Sequence, residues 1–375
     1  HISCEFFYYG IRGASNKFWL VRYDYYKPGL YCYQAGLTGN RAMGLIGKLR
    51  SILGHQSGKR EPSSTHERNT ELEGKWLTVD HPYFFGHANI SPDKRWVVGC
   101  DDSDGGSLGG HRMKGNGRVI LVDYPSDRIV YELKCFARPV DAAVSDSGSF
   151  IVHDCGFGSA LSGDVIAINT SGDEIYRRHY CANIFNIGLS QCGRYAAVQT
   201  ANADNKDSNI LEVLDLQKRQ KMFTVRPVGT WADCYLFDTN ADGELCQLRV
   251  NLRDLGYFRY STAGEFLDAE SLQIAQLNKG DYATKIMAAQ ELLKTDTTEE
   301  SARKALSVAD TALTQGARER YDWGALAHRI RGESFESLGQ LSDALEAYEQ
   351  ALAMNPKVGV LRRATTLRKK LSAKK

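Results

Sequence analysis

Three stretches of the 375-residue chain carry residue types that do chemistry when they converge. Asp238-Thr239-Asn240-Ala241-Asp242-Gly243 spaces carboxylate and amide oxygens as a calcium loop begins, with glycine at the sharp turn, so Asp238, Asn240 and Asp242 are the metal candidates. The twelfth position is Arg249 instead of the bidentate Glu such a loop needs. The expected reading is therefore a turn stabilised by Asx side chains, with no metal. Asp101-Asp102-Ser103-Asp104-Gly105-Gly106, continued by Gly109-Gly110-His111-Arg112 and Gly115-Asn116-Gly117, is a long glycine-rich loop. Such loops cradle phosphate where they open a helix. This one opens a strand and its acids repel phosphate, which predicts a flexible inter-strand loop or a partner contact. The segment from Gly39 to Lys48 lacks P-loop spacing, Ser159 and Ser162 do not form a G-x-S-x-G elbow, and the nine histidines are dispersed without an H-E-x-x-H pair. No catalytic residue and no cofactor is assigned.

Nine cysteines are odd in number, scattered, and form no C-x-x-C pair, which argues against a zinc ribbon or a thioredoxin-type centre and for reduced thiols in a cytoplasmic protein. Acids and bases nearly balance at a net charge of +2, so no nucleic-acid or membrane partner is expected from the charge as a whole. An apolar run of about 18 residues is lacking, so no membrane span is expected. The chain opens on His1 instead of Met, which reads as a processed or partial chain.

The elements that must position any site are set by a recurring turn. Ser91-Pro92-Asp93-Lys94-Arg95-Trp96-Val97-Val98, Ser145-Asp146-Ser147-Gly148-Ser149-Phe150-Ile151-Val152 and Ser190-Gln191-Cys192-Gly193-Arg194-Tyr195-Ala196-Ala197 share one grammar: a small polar start, a turn, an aromatic, then aliphatics. The spacing, roughly 45 to 55 residues, is that of repeated units. Second strands end at Val122-Asp123, Ile168-Asn169 and Leu214-Asp215, and third strands follow at 128–133 and 173–177, so each unit reads as an antiparallel blade. A further copy falls at Asn240 to Leu248 and another at Gly13 to Val21. An insertion over 42–74 interrupts the first unit with a helix whose apolar stripe includes Leu45, Leu49 and Ile52, suited to the protein's own rim or to a partner groove. Ser91-Pro92-Asp93 through Val122-Asp123 resembles a blade of the WD40-type β-propeller family, with Val122-Asp123 and Leu214-Asp215 standing where the family carries Trp-Asp. The resemblance covers roughly 10–272 and implies a propeller of about five blades.

From about residue 278 the apolar period becomes helical. Thr297-Thr298-Glu299-Glu300 offers a capping box, and Ala302, Leu306, Ala309 and Leu313 share a face. Gly332, Phe335, Gly339, Ala344, Tyr348, Ala351 and Pro356 fall at the small, aromatic and proline positions of the tetratricopeptide repeat family, which this segment resembles. The expected organisation is mainly β with an α-helical C-terminus: a WD40-like propeller over 1–277 and tetratricopeptide-like helical hairpins over 278–375. The second resemblance implies a peptide-facing side at Arg329, Arg331, Glu333 and Glu336, with Tyr321, Trp323 and His328 near its mouth. The basic run from Arg362 to Lys375 reads as the solvated face of a capping helix.

Both modules bury their apolar faces internally and present loop-rich surfaces. The expected function is thus a non-enzymatic adaptor or scaffold subunit that binds proteins through propeller loops and helices. The alternatives are a regulatory or sensor subunit docking through its tail on an effector enzyme, and a propeller-fold hydrolase or lyase.

Overall fold

Each aliphatic run after a recurring turn is a strand buried along its whole length: β6 (Trp96–Asp101), β10 (Phe150–Asp154) and β14 (Tyr195–Thr200). Strands read as unbroken apolar runs when both of their faces are covered. In the computed structural model, which describes residues 19–23, 30–34, 68–105 and 112–373, both faces of these strands are indeed covered. The chain divides into two compact units, 1–67 and 68–375. The described part of the first is one antiparallel hairpin, β1 (Trp19–Tyr23) with β2 (Leu30–Gln34). The insertion helix with Leu45, Leu49 and Ile52, and the early turn at Gly13 to Asn16, lie outside the described residues.

The second unit opens with β3 (Thr70–Glu73), β4 (Trp76–Val79) and β5 (Phe84–Ile90), then β6, β7 (Gly117–Asp123) and β8 (Arg128–Phe136), in one six-stranded antiparallel sheet. Two four-stranded sheets follow. The second comprises β9 (Pro139–Val144), β10, β11 (Gly163–Ile168) and β12 (Glu174–Tyr180). The third comprises β13 (Ile184–Leu189), β14, β15 (Leu211–Asp215) and β16 (Gln220–Val225). A three-stranded sheet of β17 (Ala232–Thr239), β18 (Leu245–Leu252) and β19 (Gly256–Ser261) completes the series. Successive sheets stack face to face. Trp96, Val98 and Leu121 meet Phe150, Val152 and Ile166. Ile151 and Val165 meet Val198 and Leu214, and Tyr195 and Val213 meet Tyr235 and Val250. Adjacent residues Ile151 and Val152 thus serve opposite cores, as the period of two along a strand requires. Strand β5 of the six-stranded sheet and the first strands of the other three, β9, β13 and β17, lie beside one another, a propeller-like arrangement.

The recurring turn is the joint between sheets. Its fourth residue is left-handed in all four copies among the described residues, with φ of 62° at Lys94, 81° at Gly148, 77° at Gly193 and 74° at Gly243. Ser91 and Ser190 each accept the amide of the aromatic five residues on, at 2.9 Å. The aromatic then reaches the next turn: the Trp96 indole donates to the Asp146 carbonyl at 3.1 Å, and the Tyr195 hydroxyl donates to the Gly243 carbonyl and accepts from the Leu245 amide. Phe150, lacking a polar tip, lies instead in the core between the first and second sheets, its ring centroid 6.4 Å from that of Tyr131.

Six α-helices follow the strands. α1 (Ala269–Lys279) inserts Leu272 into the core of the fourth sheet and Leu277 into a helical core with α2 (Tyr282–Thr295) and α3 (Glu299–Thr314). Thr298 caps α3 by accepting the Ser301 amide at 3.3 Å, and Asp296, not a Glu of the expected capping box, closes the cap through the Ser301 hydroxyl at 2.6 Å. α4 (Tyr321–Ser337) and α5 (Leu341–Met354) approach closely at Gly332, where a Cβ would collide with the Tyr348 ring. α6 (Leu361–Ser372) ends the described chain. No helix among the described residues is long and apolar enough to cross a membrane.

If the turns are joints, Gly148 and Gly243 differ in one respect. Both are left-handed, but a Cβ at Gly148 would sit 2.9 Å from the Trp96 ring while one at Gly243 meets open space. Gly243→Ala is expected to cost about 1–2 kcal/mol for the backbone conformation alone, and Gly148→Ala about 1–3 kcal/mol more for the clash. Urea denaturation of the two variants checks this; equal losses would mean the Trp96 contact does not hold the turn.

Candidate interaction surfaces

At the end of the sheets away from the recurring turns, the chain brings one histidine to one cysteine. β10 delivers His153 and Asp154 to its end, and Cys155 follows with its Sγ 3.5 Å from His153 Nε2. Asp154 accepts the amides of Ala137, Arg138 and Gly156 at 2.7 to 3.0 Å, so its carboxylate is spent on shaping the loops. Burial holds the His153 imidazolium down to about 4 and pushes the Cys155 thiol up to about 11. A nucleophilic pair needs a thiolate beside a proton acceptor that can charge. Here the thiol stays protonated and the ring neutral at neutral pH, which is a packed, satisfied pair. Nearby, His87 Nδ1 stands 3.5 Å from Asp141.

The calcium-like stretch is consumed by its own hairpin. Asp238 takes Arg249 and Gln247 at 2.6 Å each, and Asn240 Oδ1 accepts the amides of Asp242 and Glu244. Asp242 is exposed. Among the described residues no group of three His, Cys, Asp or Glu side chains could hold a metal ion.

The described ends of the glycine-rich loop are anchored. Asp101 pairs with Arg118 at 2.6 Å, and Arg112 donates to the Asp102 and Ala137 carbonyls while its own carbonyl accepts the Gly158 amide at 3.0 Å. These anchors hold two loops side by side and leave large apolar side chains outside. Met113 on one loop is 73% exposed, and the other loop, whose Gly158 lies near the Met113 sulfur, exposes Phe157 at 42% and Leu161 at 67%. Sequence reading missed this trio. The signal available was an aromatic isolated between two glycines, Gly156-Phe157-Gly158, where no core position calls for one.

On α4 the sequence-derived residues divide between two faces. Arg329, Glu333 and Glu336, spaced i, i+4 and i+7, lie together toward α6. Arg329 pairs with Glu333 at 3.0 Å, Arg363 of α6 reaches Glu333 at 3.2 Å, and the Tyr348 hydroxyl donates to Glu336 at 2.7 Å while accepting from Arg363. Arg331 points the other way, to Asp310 of α3 at 2.7 Å and Gln350 of α5 at 3.2 Å. His328 is buried beside it, its pKa lowered by burial and by the Arg331 charge. Trp323 stands edge-on to Tyr282 of α2 within the helical core, and Tyr321, 58% exposed, donates to Asn355 at 3.3 Å.

No family model matches the sequence, and no curated protein is similar to it. Among solved structures the chain is similar to the β-propeller domain of Cps50 (Swd1) from Myceliophteria thermophila, with 10% identity over 66% of this chain and a TM-score of 0.33. The match spans 64% of that domain's length.

Two expected outcomes test this geometry. Tyr348→Phe removes the hydroxyl linking Glu336 to Arg363, so amides of α6 should exchange about tenfold faster while those of α3 stay unchanged; unaltered exchange in α6 would show that the link does not hold that helix. The buried His153 makes stability depend on pH. Between 6.5, its ordinary value, and about 4, the unfolded chain binds a proton that the folded chain refuses, so stability falls on acidification through that window, by up to about 1.4 kcal/mol per pH unit. Carboxylates with lowered pKa, such as Asp215 beside Arg194, begin to contribute about one pH unit above 3.8 and do so chiefly below it. Denaturation from about pH 7 to 5 should show a shallower decline for His153→Gln, with the remainder owed mainly to His328; an identical slope in parent and variant would place the His153 ring in water.

Proposed function

We propose that this chain is a non-enzymatic protein-interaction scaffold, in which a WD40-like propeller of about five blades over 1–277 and a tetratricopeptide-like tail over 278–375 present separate binding surfaces. The observation that carries the reading is the exposed trio Met113, Phe157 and Leu161, held by anchored loops at one end of rigidly stacked sheets. Large apolar side chains exposed on neighbouring loops are costly to leave in water unless a partner covers them, and loops on a rigid scaffold are where binding is usually built. In the tail, the close approach at Gly332 and the buried Ala344, Tyr348 and Ala351 support tetratricopeptide-like packing. The Arg329–Glu333–Arg363 network then lies on the side on which such repeats receive peptides. The seven described cysteines are all free thiols, which suits a reducing, cytoplasmic setting.

The test is quantitative affinity capture from the native host with the full chain and with Met113→Glu/Leu161→Glu. Recovery of at least one partner should fall about tenfold, while the thermal midpoint moves by no more than about 2 °C. Unchanged recovery of every partner, or turnover of a substrate that is lost on replacing one histidine, would overturn the scaffold reading.

A further inference from the structure

The register of β3, β4 and β5 defines one exposed sheet face. Glu73 lies opposite Trp76, Glu71 opposite Thr78, Trp76 opposite His87 and Thr78 opposite Phe85. Directly opposed residues point to the same side, so Glu71, Glu73, Trp76, Thr78, Phe85 and His87 share a surface. The reverse side carries Leu77, Val79 and Phe84, which seal the outer face of β6 and β7 through Val97, Ile120 and Val122. That division is enforced where β5 changes partner from β4 to β6, since a Cβ at Gly86 would collide with the Cys100 carbonyl.

The exposed side is aromatic in the middle and acidic at both margins. Trp76 and Phe85 stack in parallel with centroids 5.2 Å apart and are 43% and 45% exposed. His87 stands edge-on to Trp76 at 5.9 Å, and Asp141 lies beyond it. Glu71 and Glu73 flank the other side, both exposed and without an ion pair among the described residues. The arginines nearby are engaged elsewhere: Arg68 lies over Tyr124, and Arg118 bonds Asp101. Lys75, in the turn before Trp76, is the one basic residue in the face's own strands and turns.

We infer that this face docks an arginine-rich segment of a partner protein, with guanidinium groups lying over the Trp76–Phe85 pair and pairing with Glu71, Glu73 and Asp141. Flat aromatic rings attract a cation to their faces, and arginine stacks there better than lysine because its charge is planar and weakly hydrated. Carboxylates on both margins exclude phosphate-bearing partners and disfavour a second copy of the same face, which would set like charges against each other. The inference rests on the scaffold reading only in that the partner is a protein, and it concerns a surface distinct from the Met113 trio.

The experiment is isothermal titration of the full chain, at about 0.15 M salt to suppress loose charge attraction, with a synthetic peptide alternating arginine with serine. The controls replace arginine by lysine or by glutamate. The arginine peptide should bind more tightly than the lysine peptide, and the glutamate peptide should not bind. Trp76→Ala, and separately Glu71→Gln/Glu73→Gln, should each weaken the arginine peptide about tenfold. The glutamine pair alters only exposed side chains, so it stands as the test should Trp76→Ala disturb the hairpin. Equal affinity in parent and glutamine variant, equal binding of arginine and glutamate peptides, or competition by a duplex RNA for the same site would overturn the proposal. Met113→Glu/Leu161→Glu should leave peptide binding intact; loss there instead would put the peptide on the other surface.

Discussion

The stacked sheets depend on the Asp146 turn. Its carboxylate accepts the Asp93 amide of the preceding turn at 2.9 Å and the Gln191 side chain of the following turn at 2.6 Å. Its own amide donates to the Gln191 carbonyl, and its carbonyl accepts the Trp96 indole. One residue thus sets the distance between three successive sheets at their shared rim. Hydrophobic burial between sheets is strong but non-directional; hydrogen bonds of fixed length choose one stacking among many apolar ones. Farther along, Arg194 repeats the device by binding Asp215 of its own sheet and Glu244 of the next turn.

The opposite end is tied by charge. Glu212, 1% exposed, accepts from Tyr180 at 2.8 Å, Thr224 at 2.9 Å and Arg178 at 3.2 Å, while the buried Asp207 takes Arg178 and the Cys181 amide. These bonds join the second sheet to the third. A buried carboxylate is tolerable only when its oxygens are satisfied, and here protein groups satisfy them. The same holds for the buried Asp154, and the partly exposed Asp238 is likewise taken up by Arg249 and Gln247. Titratable groups that looked available for chemistry are committed to architecture, and that commitment leaves apolar side chains and a few exposed carboxylates as the features facing outward.

The strands around 97, 151 and 196 were legible because strands covered on both faces are continuously apolar, and the turns because one left-handed position recurs in each. The helices after 278 were legible from the small residues that Gly332, Ala344 and Ala351 supply where backbones approach. Site residues were less so. Arg329 and Arg331 are two apart on a helix, which turns their side chains about 200° from each other, yet their types alone suggested one patch. The Trp76–Phe85 face escaped notice because its residues come from three strands and only register makes them neighbours.

Local rules therefore carry the positions of turns, strand cores and helix contacts, since each is imposed by backbone sterics or by the period of a single element. Folding in three dimensions settles the rest: which carboxylates are consumed, that the buried His153 and the partly buried Cys155 are a neutral pair, and which aromatic and acidic side chains share a surface. Those outcomes depend on partners dozens of residues away, and desolvation and pairing energies exist only once such partners have met.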